Sequence, residues 1–466
     1  MRKSLSALVF ATGGGAGFKS ATPKVLDPLL GTSMLRLVLE SVLNLKPDRL
    51  FLVVGSQQGA IPAEVTSLPV AIIPVGYRTD RSSGLRALGQ ALKRPAVADV
   101  LVLSADLPLL RPESLRALIE FHRRRRNTVT LMRAGIDDPV GLGRADSGQK
   151  GRIRLKPGEG QTSLAQSRGP AFPISVFDRS ELMRTLAARS SPKAKAMLSL
   201  ADLLAVLGRP LGRIGAFKAP FPEEIVPVTN LHEFGLAANA LRDRKIRTLE
   251  ASGVTVFNSA STWIDLAVEI GPKTIIYPSV VIEGKTAIGS RCRIYPGAHI
   301  IGSQIGDGVK ILSWSVVEGA VVEDGASVGP FARLRPKTVV QAGARVGNFV
   351  EMKNVRFGRG SKAGHLSYLG DCEVHEGVNI GAGTVTCNFD GFRKNKTVIE
   401  ADAFVGSGTE LIAPVRVGKG AYVGAGSVIT KDVSAGALAV SRVRQMEKSG
   451  WAERKRERLR KDAENK

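Results

Sequence analysis

A six-residue period runs through the second half of the chain and leaves few folds open to it. From Ile270 the sequence reads IGPKTI, IYPSVV, IEGKTA, IGSRCR, IYPGAH and then, after slips, IGDGVK, VEDGAS, VGPFAR, LRPKTV, VQAGAR, VGNFVE and on to VGKGAY and VGAGSV. An aliphatic residue leads most hexads, Gly often follows, and a small residue tends to hold the fifth place. The pattern predicts a parallel β-helix, in which each leading aliphatic side chain points inward and stacks on its counterpart one coil below.

The first half has another grammar. ALVFAT, RLFLVVGS, VAIIPVG, ADVLVLSAD and NTVTLMRAG are short, rich in β-branched residues and bounded by Gly, Asp or Pro, whereas GTSMLRLVLESVLNL and RPESLRALIEFHRRR repeat apolar residues every three or four positions. Such alternation predicts an α/β domain with a parallel sheet covered by helices, a doubly wound, Rossmann-like arrangement. The stretch Leu231–Gly253 is helical in period and ends in Gly, as a linker helix would. Four segments follow: a first domain over 1–230, a linker helix over 231–253, a β-helix over 254–440 and a basic tail over 441–466.

A chain of 466 residues exceeds one ordinary core, which agrees with two large domains. No apolar run approaches the roughly 20 residues of a membrane span. The opening MRKSLSALVFATGGG reads as a first buried strand rather than a signal peptide, because its apolar stretch is short and runs into glycines. Three cysteines, Cys292, Cys372 and Cys387, are odd in number and lack CxxC pairing, so neither a disulfide framework nor a zinc site is expected, and a reducing cytoplasm fits. The formal charge of +24 favours anionic partners. Specific nucleic-acid binding is not expected, since aromatic residues make up only 5% of the chain and the tail mixes Glu and Asp among its Lys and Arg. Anionic small substrates account for the charge equally well.

A solenoid core needs no charge, so departures from the repeat are where chemistry should lie. They cluster. FARLRP carries Arg333 and Arg335, NFVEMKN carries Glu351 and Lys353, AGHLSYLG carries His365 and Tyr368, and NIGAGTVTCNFDGFRKNK carries Asn379, Asn388 and Lys394. The rhythm fails at Thr386–Val398, which must leave the wall as a loop. Cations on such a loop suit a phosphate, and a histidine near a carboxylate suits a general base. His122, His232, His299 and His375 read as surface or corner residues, and His365, His375 and His299 are poorly spaced for a zinc site.

The motifs GPFARLRP, VGNFVEMKN, GSKAGHLSYLGD, NIGAGTVTCNFDG, VGSGTELIAPV and ALAVSRVRQ closely resemble the C-terminal domain of the bifunctional N-acetylglucosamine-1-phosphate uridylyltransferase and glucosamine-1-phosphate N-acetyltransferase family. The resemblance extends from about Gly253 to the tail. It implies a left-handed, triangular β-helix with three hexads per coil, acetyl-CoA as cosubstrate, and a homotrimer with sites between neighbouring β-helices. It also implies roles: His365 as general base with Glu351 in support; Arg335, Lys353, Tyr368, Asn379 and Lys394 around the sugar phosphate; Ala382, Asn388, Phe389, Ser407, Ala425 and Arg442 around acetyl-CoA. Phe389 stands where that family usually has tyrosine. These roles suit the residue types, because an amine attacks a thioester only when unprotonated, imidazole titrates near neutrality, and Gly/Ala turns offer backbone N–H groups to an oxyanion.

The first half resembles, less closely, the nucleotidyltransferase domain of the same family and the molybdenum-cofactor nucleotidyltransferases. ALVFATGGGAGFKSATPKVL matches the Gly-rich nucleotide loop, with Gly13, Gly14 and the downstream Lys24; VLVLSADLPLL brings Asp106 to the place of a magnesium ligand; DDPVGLGR matches a sugar-binding loop through Gly143. By the same resemblance, Gly17 replaces a basic residue that balances the triphosphate, RTDRSSGLRALG replaces the base-reading loop, and Thr229 falls where a second magnesium ligand, an asparagine, belongs, with Asn230 adjacent. The expected function is therefore N-acetylation of glucosamine 1-phosphate on the way to UDP-N-acetylglucosamine, with uridylyl transfer weak or lost and magnesium needed only if it survives. The alternatives are a fully bifunctional enzyme and, from another class, a non-catalytic solenoid scaffold.

Overall fold

Seven short apolar runs of the first half form one sheet: β1 (Leu5–Ala11), β2 (Arg49–Gly55), β3 (Ala71–Val75), β4 (Asp99–Ser104), β5 (Val129–Arg133), β6 (Ile174–Asp178) and β7 (Ile214–Lys218). Their spatial order is β7-β5-β6-β4-β1-β2-β3. The β4-β1-β2-β3 portion and the β7–β5 pair are parallel, as the alternation with helices requires. β6 departs from the expected all-parallel sheet and runs antiparallel to both its neighbours. Helices α1 (Met34–Leu43), α2 (Pro112–Arg125) and α3 (Arg179–Ala188) belong to this unit. Leu8, Leu52, Leu101, Leu103 and Val176 are fully buried in it. The computed structural model describes residues 4–11, 18, 22–55, 61–75, 92, 98–133, 145–148, 152–155, 174–188 and 214–464. Contacts divide the chain into two units, Met1–Arg247 and Thr248–Lys466, and the division falls within helix α4 (Leu231–Ala251).

The basic run FHRRRRN has a structural explanation. It closes α2, where His122, Arg123, Arg124 and Arg125 occupy the last turn and complement the negative end of the helix dipole. Arg126 follows as a left-handed cap, with φ of 51°, and Arg123 pairs with Asp99 at 2.5 Å. His122 is not the surface residue expected of it; it is buried, with Nδ1 2.9 Å from Thr130 Oγ1.

From Thr255 the chain winds as a left-handed parallel β-helix, most coils pairing with the next after 17 or 18 residues and the coil that carries the interruption after 25. Three columns of inward side chains fill it. One runs Ile276, Ile294, Ile311, Val328, Val346, Ala363, Ile380, Val405, Val423; a second Ile282, Ile300, Val317, Leu334, Met352, Leu369, Thr386, Leu411, Ile429; a third Ile288, Ile305, Val322, Val340, Phe357, Val374, Ile399, Val417. These are the hexad leaders, and three of them per turn make the section triangular. Thr386 is the polar member, and it is satisfied: its hydroxyl donates to the Gly370 carbonyl at 3.1 Å and accepts from the Gly370 N–H at 2.7 Å.

One edge of this triangle is unusual. Trp314, Phe331, Phe349 and Leu366 follow one another at successive coils with φ of 60°, 53°, 56° and 49°. A left-handed backbone costs a residue with a Cβ roughly 1–2 kcal/mol, and glycine is the residue that avoids it. These four side chains are also 48–62% exposed, and the rings of Phe331 and Phe349 stack 5.3 Å apart. An exposed apolar ridge held in a strained backbone gains nothing for an isolated β-helix.

Candidate functional site

The break in the repeat is shorter than the sequence suggested. Val385–Cys387 and Thr397–Ile399 are both strands, so Thr386, Cys387, Thr397 and Val398 stay in the wall and only residues 388–396 leave it. Asp390 holds this loop together. Its Oδ1 accepts from the backbone N–H groups of Phe392 (2.9 Å) and Arg393 (2.7 Å), and its Oδ2 accepts from Asn395 Nδ2 at 2.9 Å. Asn388 anchors the base of the loop by donating to Asp371 Oδ2 at 2.5 Å, while Asn354 donates to the other oxygen of Asp371 at 2.6 Å. A bridge between Phe389 and Lys394 closes the turn and leaves the Phe389 ring exposed.

The hydrogen bonds from Arg393, Phe392 and Asn395 keep the Asp390 carboxyl below its ordinary value of 3.8. Because the folded value is depressed, the loop's order is present above that ordinary value and is lost as the pH falls through the lower one. For the substrates that the resemblance implies, Asp390→Ala should raise KM for sugar phosphate and for acetyl-CoA by roughly tenfold, with the melting temperature nearly unchanged because the loop is exposed. Unaltered KM values for both substrates would show that the loop's order does not matter to binding.

The loop delivers Lys394 to a cluster of cations. The Lys394 ammonium beside Lys353, and then Arg335, hold the Lys353 ammonium below its usual range. Three like charges gathered from two successive coils and a loop repel one another until an anion arrives, which is the electrostatic condition of a phosphate clamp. Glu351 sits opposite Arg333 and Tyr368 in the strand register, and its carboxylate accepts from Arg335 Nη1 at 3.0 Å. Tyr368 leans over Gly370, the residue opposite Lys353; a Cβ at Gly370 would lie 2.6 Å from the phenolic oxygen, so glycine is what lets the ring lie there.

His365 ends the strand Lys362–His365 and is exposed. Its Nδ1 hydrogen-bonds Asn348 Oδ1, one coil earlier. Glu351, expected in support of His365, engages Arg335 through one carboxylate oxygen. Asn379 is on the same sheet as His365, paired with Lys362, whereas Arg335, Lys353 and Tyr368 belong to the next face. The turn at Leu366 and Ser367 separates the two sets. The chain thus presents His365 and the cation cluster on two faces that meet at the apolar edge of Phe331, Phe349 and Leu366.

Ala382, Ser407 and Ala425 stack at one turn of three successive coils, where the N–H of Gly408 donates to Ala382 and that of Gly426 to Ser407. A Cβ on Gly381 would come within 2.5 Å of the Ser407 nitrogen, and one on Gly406 within 2.5 Å of the Ala425 nitrogen. The glycines therefore set the close approach that leaves a flat strip of small residues. The N–H groups of Gly383 and Gly408 are spent on coil-to-coil bonds to Leu366 and Ala382, so these two are not available to an oxyanion. Arg442 is exposed, one residue beyond Ser441, whose N–H donates to Ser427 Oγ at 3.1 Å. Asn348, Asp371 and Asp390 were missed as site residues. For Asn348 the signal was available, since it precedes His365 by one coil.

Comparison with known proteins follows this division. The family described as "MobA-like NTP transferase domain" matches residues 7–171, and "Bacterial transferase hexapeptide (six repeats)" matches residues 396–431. Proteins named "Bifunctional protein GlmU" align along the whole length. That of Thermotoga maritima is 38% identical over 457 residues, 97% of this chain and 99% of its own. Those of Thermodesulfovibrio yellowstonii and Streptococcus equi subsp. zooepidemicus are each 35% identical, over 97% and 96% of this chain and 100% and 97% of theirs. The chain belongs to the bifunctional GlmU family. It is an acetyltransferase enzyme of the hexapeptide kind, with a nucleotidyltransferase-type domain ahead of the β-helix.

In a GlmU-family protein the first unit raises the question of magnesium at Asp106. Gly13, Gly14, Gly17 and Gly143 lie outside the described residues, but Lys24 and Asp106 are well placed for a test. Lys24 is buried, and its ammonium donates to Asp106 Oδ2 and to the Val228 carbonyl, both at 2.7 Å. Ser104 Oγ donates to the other oxygen of Asp106 at 2.5 Å. Thr229 donates through its N–H and its hydroxyl to Glu233 Oε2 at 2.6 and 2.7 Å, and Asn230 Oδ1 accepts from the Glu233 N–H at 3.0 Å, capping α4. Burial pushes the Glu233 carboxyl up, yet the hydrogen bonds from Thr229 and Asn230 outweigh it and hold the group low. Magnesium asks for near-octahedral oxygen ligands. These residues do not fit it: one carboxylate already carries an internal cation, and the neighbouring polar groups are committed to a helix start. Among the described residues no group of three His, Cys, Asp or Glu could hold a metal. No described helix is long and apolar enough to cross a membrane.

Proposed function

We propose that the protein transfers the acetyl group of acetyl-CoA to the amine of glucosamine 1-phosphate, in the cytoplasm, on the way to UDP-N-acetylglucosamine. The observation that carries this reading is the convergence of Arg335, Lys353 and Lys394 with Tyr368 one turn away from an accessible His365. The cations hold the sugar phosphate and Asn379 contributes from the neighbouring face. His365 takes the proton as the amine nitrogen bonds to the thioester carbonyl carbon; the tetrahedral intermediate then collapses, the C–S bond breaks, and the thiolate of CoA leaves with a proton. Acetyl-CoA lies along the strip of Ala382, Ser407 and Ala425, with Asn388, Phe389 and Arg442 around it. Glu351 serves the site through Arg335, keeping that guanidinium in place.

The working form is a homotrimer. Base and cations diverge on two faces of one β-helix, and the strained ridge between them becomes favourable once a second copy covers it, which supports sites built between neighbours. In the first domain, Gly17, the Lys24–Asp106 pair and the commitment of Thr229 and Asn230 to α4 favour a weak or lost uridylyltransferase, although the relatives' shared name is that of a bifunctional protein. The full-length protein, given glucosamine 1-phosphate and acetyl-CoA, should release CoA thiol and N-acetylglucosamine 1-phosphate. Given the latter with UTP and magnesium, it should release little pyrophosphate. Absence of thiol release would remove the acetyltransferase assignment, and brisk pyrophosphate release would restore the fully bifunctional alternative.

A further inference from the structure

We propose that Asn348 is a positioning residue that fixes the tautomer of His365, leaving the lone pair on Nε2 as the group that accepts the substrate's proton. The inference rests on the reading of His365 as the general base and adds what sets its chemistry. Asn348 and His365 end register-paired strands on adjacent coils. The amide Oδ1 of Asn348 faces Nδ1 of His365, and the carbonyl of Asn348 accepts from the Leu366 N–H at 3.0 Å. One residue therefore holds both the His365 ring and the peptide that follows it.

The chemistry follows from the donor inventory. An amide oxygen only accepts, so the ring nitrogen facing it must carry the hydrogen, and a neutral imidazole has one hydrogen to give. The proton is then on Nδ1, and Nε2 is left basic and unoccupied. A histidine free in water favours the opposite tautomer, with the hydrogen on Nε2, which would point a donor rather than an acceptor at the incoming amine. Glu351, the nearest candidate for this task by sequence, is occupied by Arg335 at 3.0 Å. The partner here is a neutral amide, which selects the tautomer without placing a formal charge beside the ring.

The test uses full-length protein with 15N-labelled imidazoles, held at a pH where His365 is neutral, its signals identified by their disappearance in His365→Gln. Wild type should show a protonated Nδ1 and a bare Nε2. Asn348→Ala should move His365 toward the other tautomer and lower kcat roughly ten- to a hundredfold, with both KM values unchanged. Asn348→Asp, which keeps an accepting oxygen, should restore the Nδ1–H signature and most of kcat. A wild-type histidine protonated on Nε2, or an Asn348→Ala spectrum like wild type, would overturn the proposal. Full kcat in Asn348→Ala beside an inactive His365→Ala would overturn this proposal alone, whereas full activity of His365→Ala would overturn the general-base reading together with it.

Discussion

His365→Ala should lower acetyl transfer by about a hundredfold or more, the usual cost of removing a general base, while melting temperature and assembly mass stay where they are. The imidazole is exposed at the end of a strand, so alanine leaves no cavity. What is lost is the acceptor for the amine's proton. On the proposed roles, the remaining rate would come from binding alone, since Arg335, Lys353 and Lys394 would still hold the phosphate and the small-residue strip would still take acetyl-CoA. KM for both substrates should therefore change little. Wild-type turnover by the His365→Ala enzyme at neutral pH would end the assignment of the base.

Phe349→Asp should convert the protein to monomers in sedimentation and reduce acetyl transfer to about a hundredth. The substitution is chosen because it favours the isolated fold: Asp tolerates the left-handed backbone that Phe349 adopts with φ of 56°, better than an aromatic residue does. The melting temperature of the single β-helix should therefore not fall. Within one chain the substitution gives up only the stack on Phe331, which the relieved backbone offsets; against another copy the effect reverses, because a carboxylate would be buried where an exposed ring now stands, and truncating a central aromatic contact commonly costs about 2 kcal/mol or more per interface. A wild type that is monomeric and active, or a variant that remains assembled and active, would show that the ridge serves some other purpose.

The β-helix was legible because its physics repeats. Each hexad leader is aliphatic for the same reason, so about twenty weak signals add, and the inward columns from Ile276 to Val423 and from Ile282 to Ile429 are those leaders. His365 and the cations were visible as interruptions of that code. Asn348 was legible only in combination, since a polar residue at a strand end looks ordinary until its partner one coil away is considered. The ridge escaped for the opposite reason: left-handed corners call for glycine, and aromatic residues there contradict local preference. In the first unit the parallel strands followed from alternation with helices, but β6 lies after a long stretch without such alternation, and its antiparallel direction had no local mark. The burial of Lys24 against Asp106 was equally hidden, because residues 82 apart in sequence meet only through the sheet.

Coil-to-coil registry has a further consequence for how this chain can change. Every rung of the β-helix, from Thr255↔Ile275 to Tyr422↔Leu438, bonds only to the rungs directly above and below it. Stability in such an array is close to a sum of local terms and nearest-neighbour couplings. A lesion among the early coils is then quarantined: it loosens two interfaces and fades before reaching the rungs that carry Arg335 to Lys394. Conversely, the rungs that carry His365 and the cations could acquire an aromatic edge, a pair of lysines and a loop of residues 388–396 without the distant rungs having to adjust. Modularity of this sort makes the second unit an evolvable stack, in which new chemistry is added one rung at a time and the cost stays local.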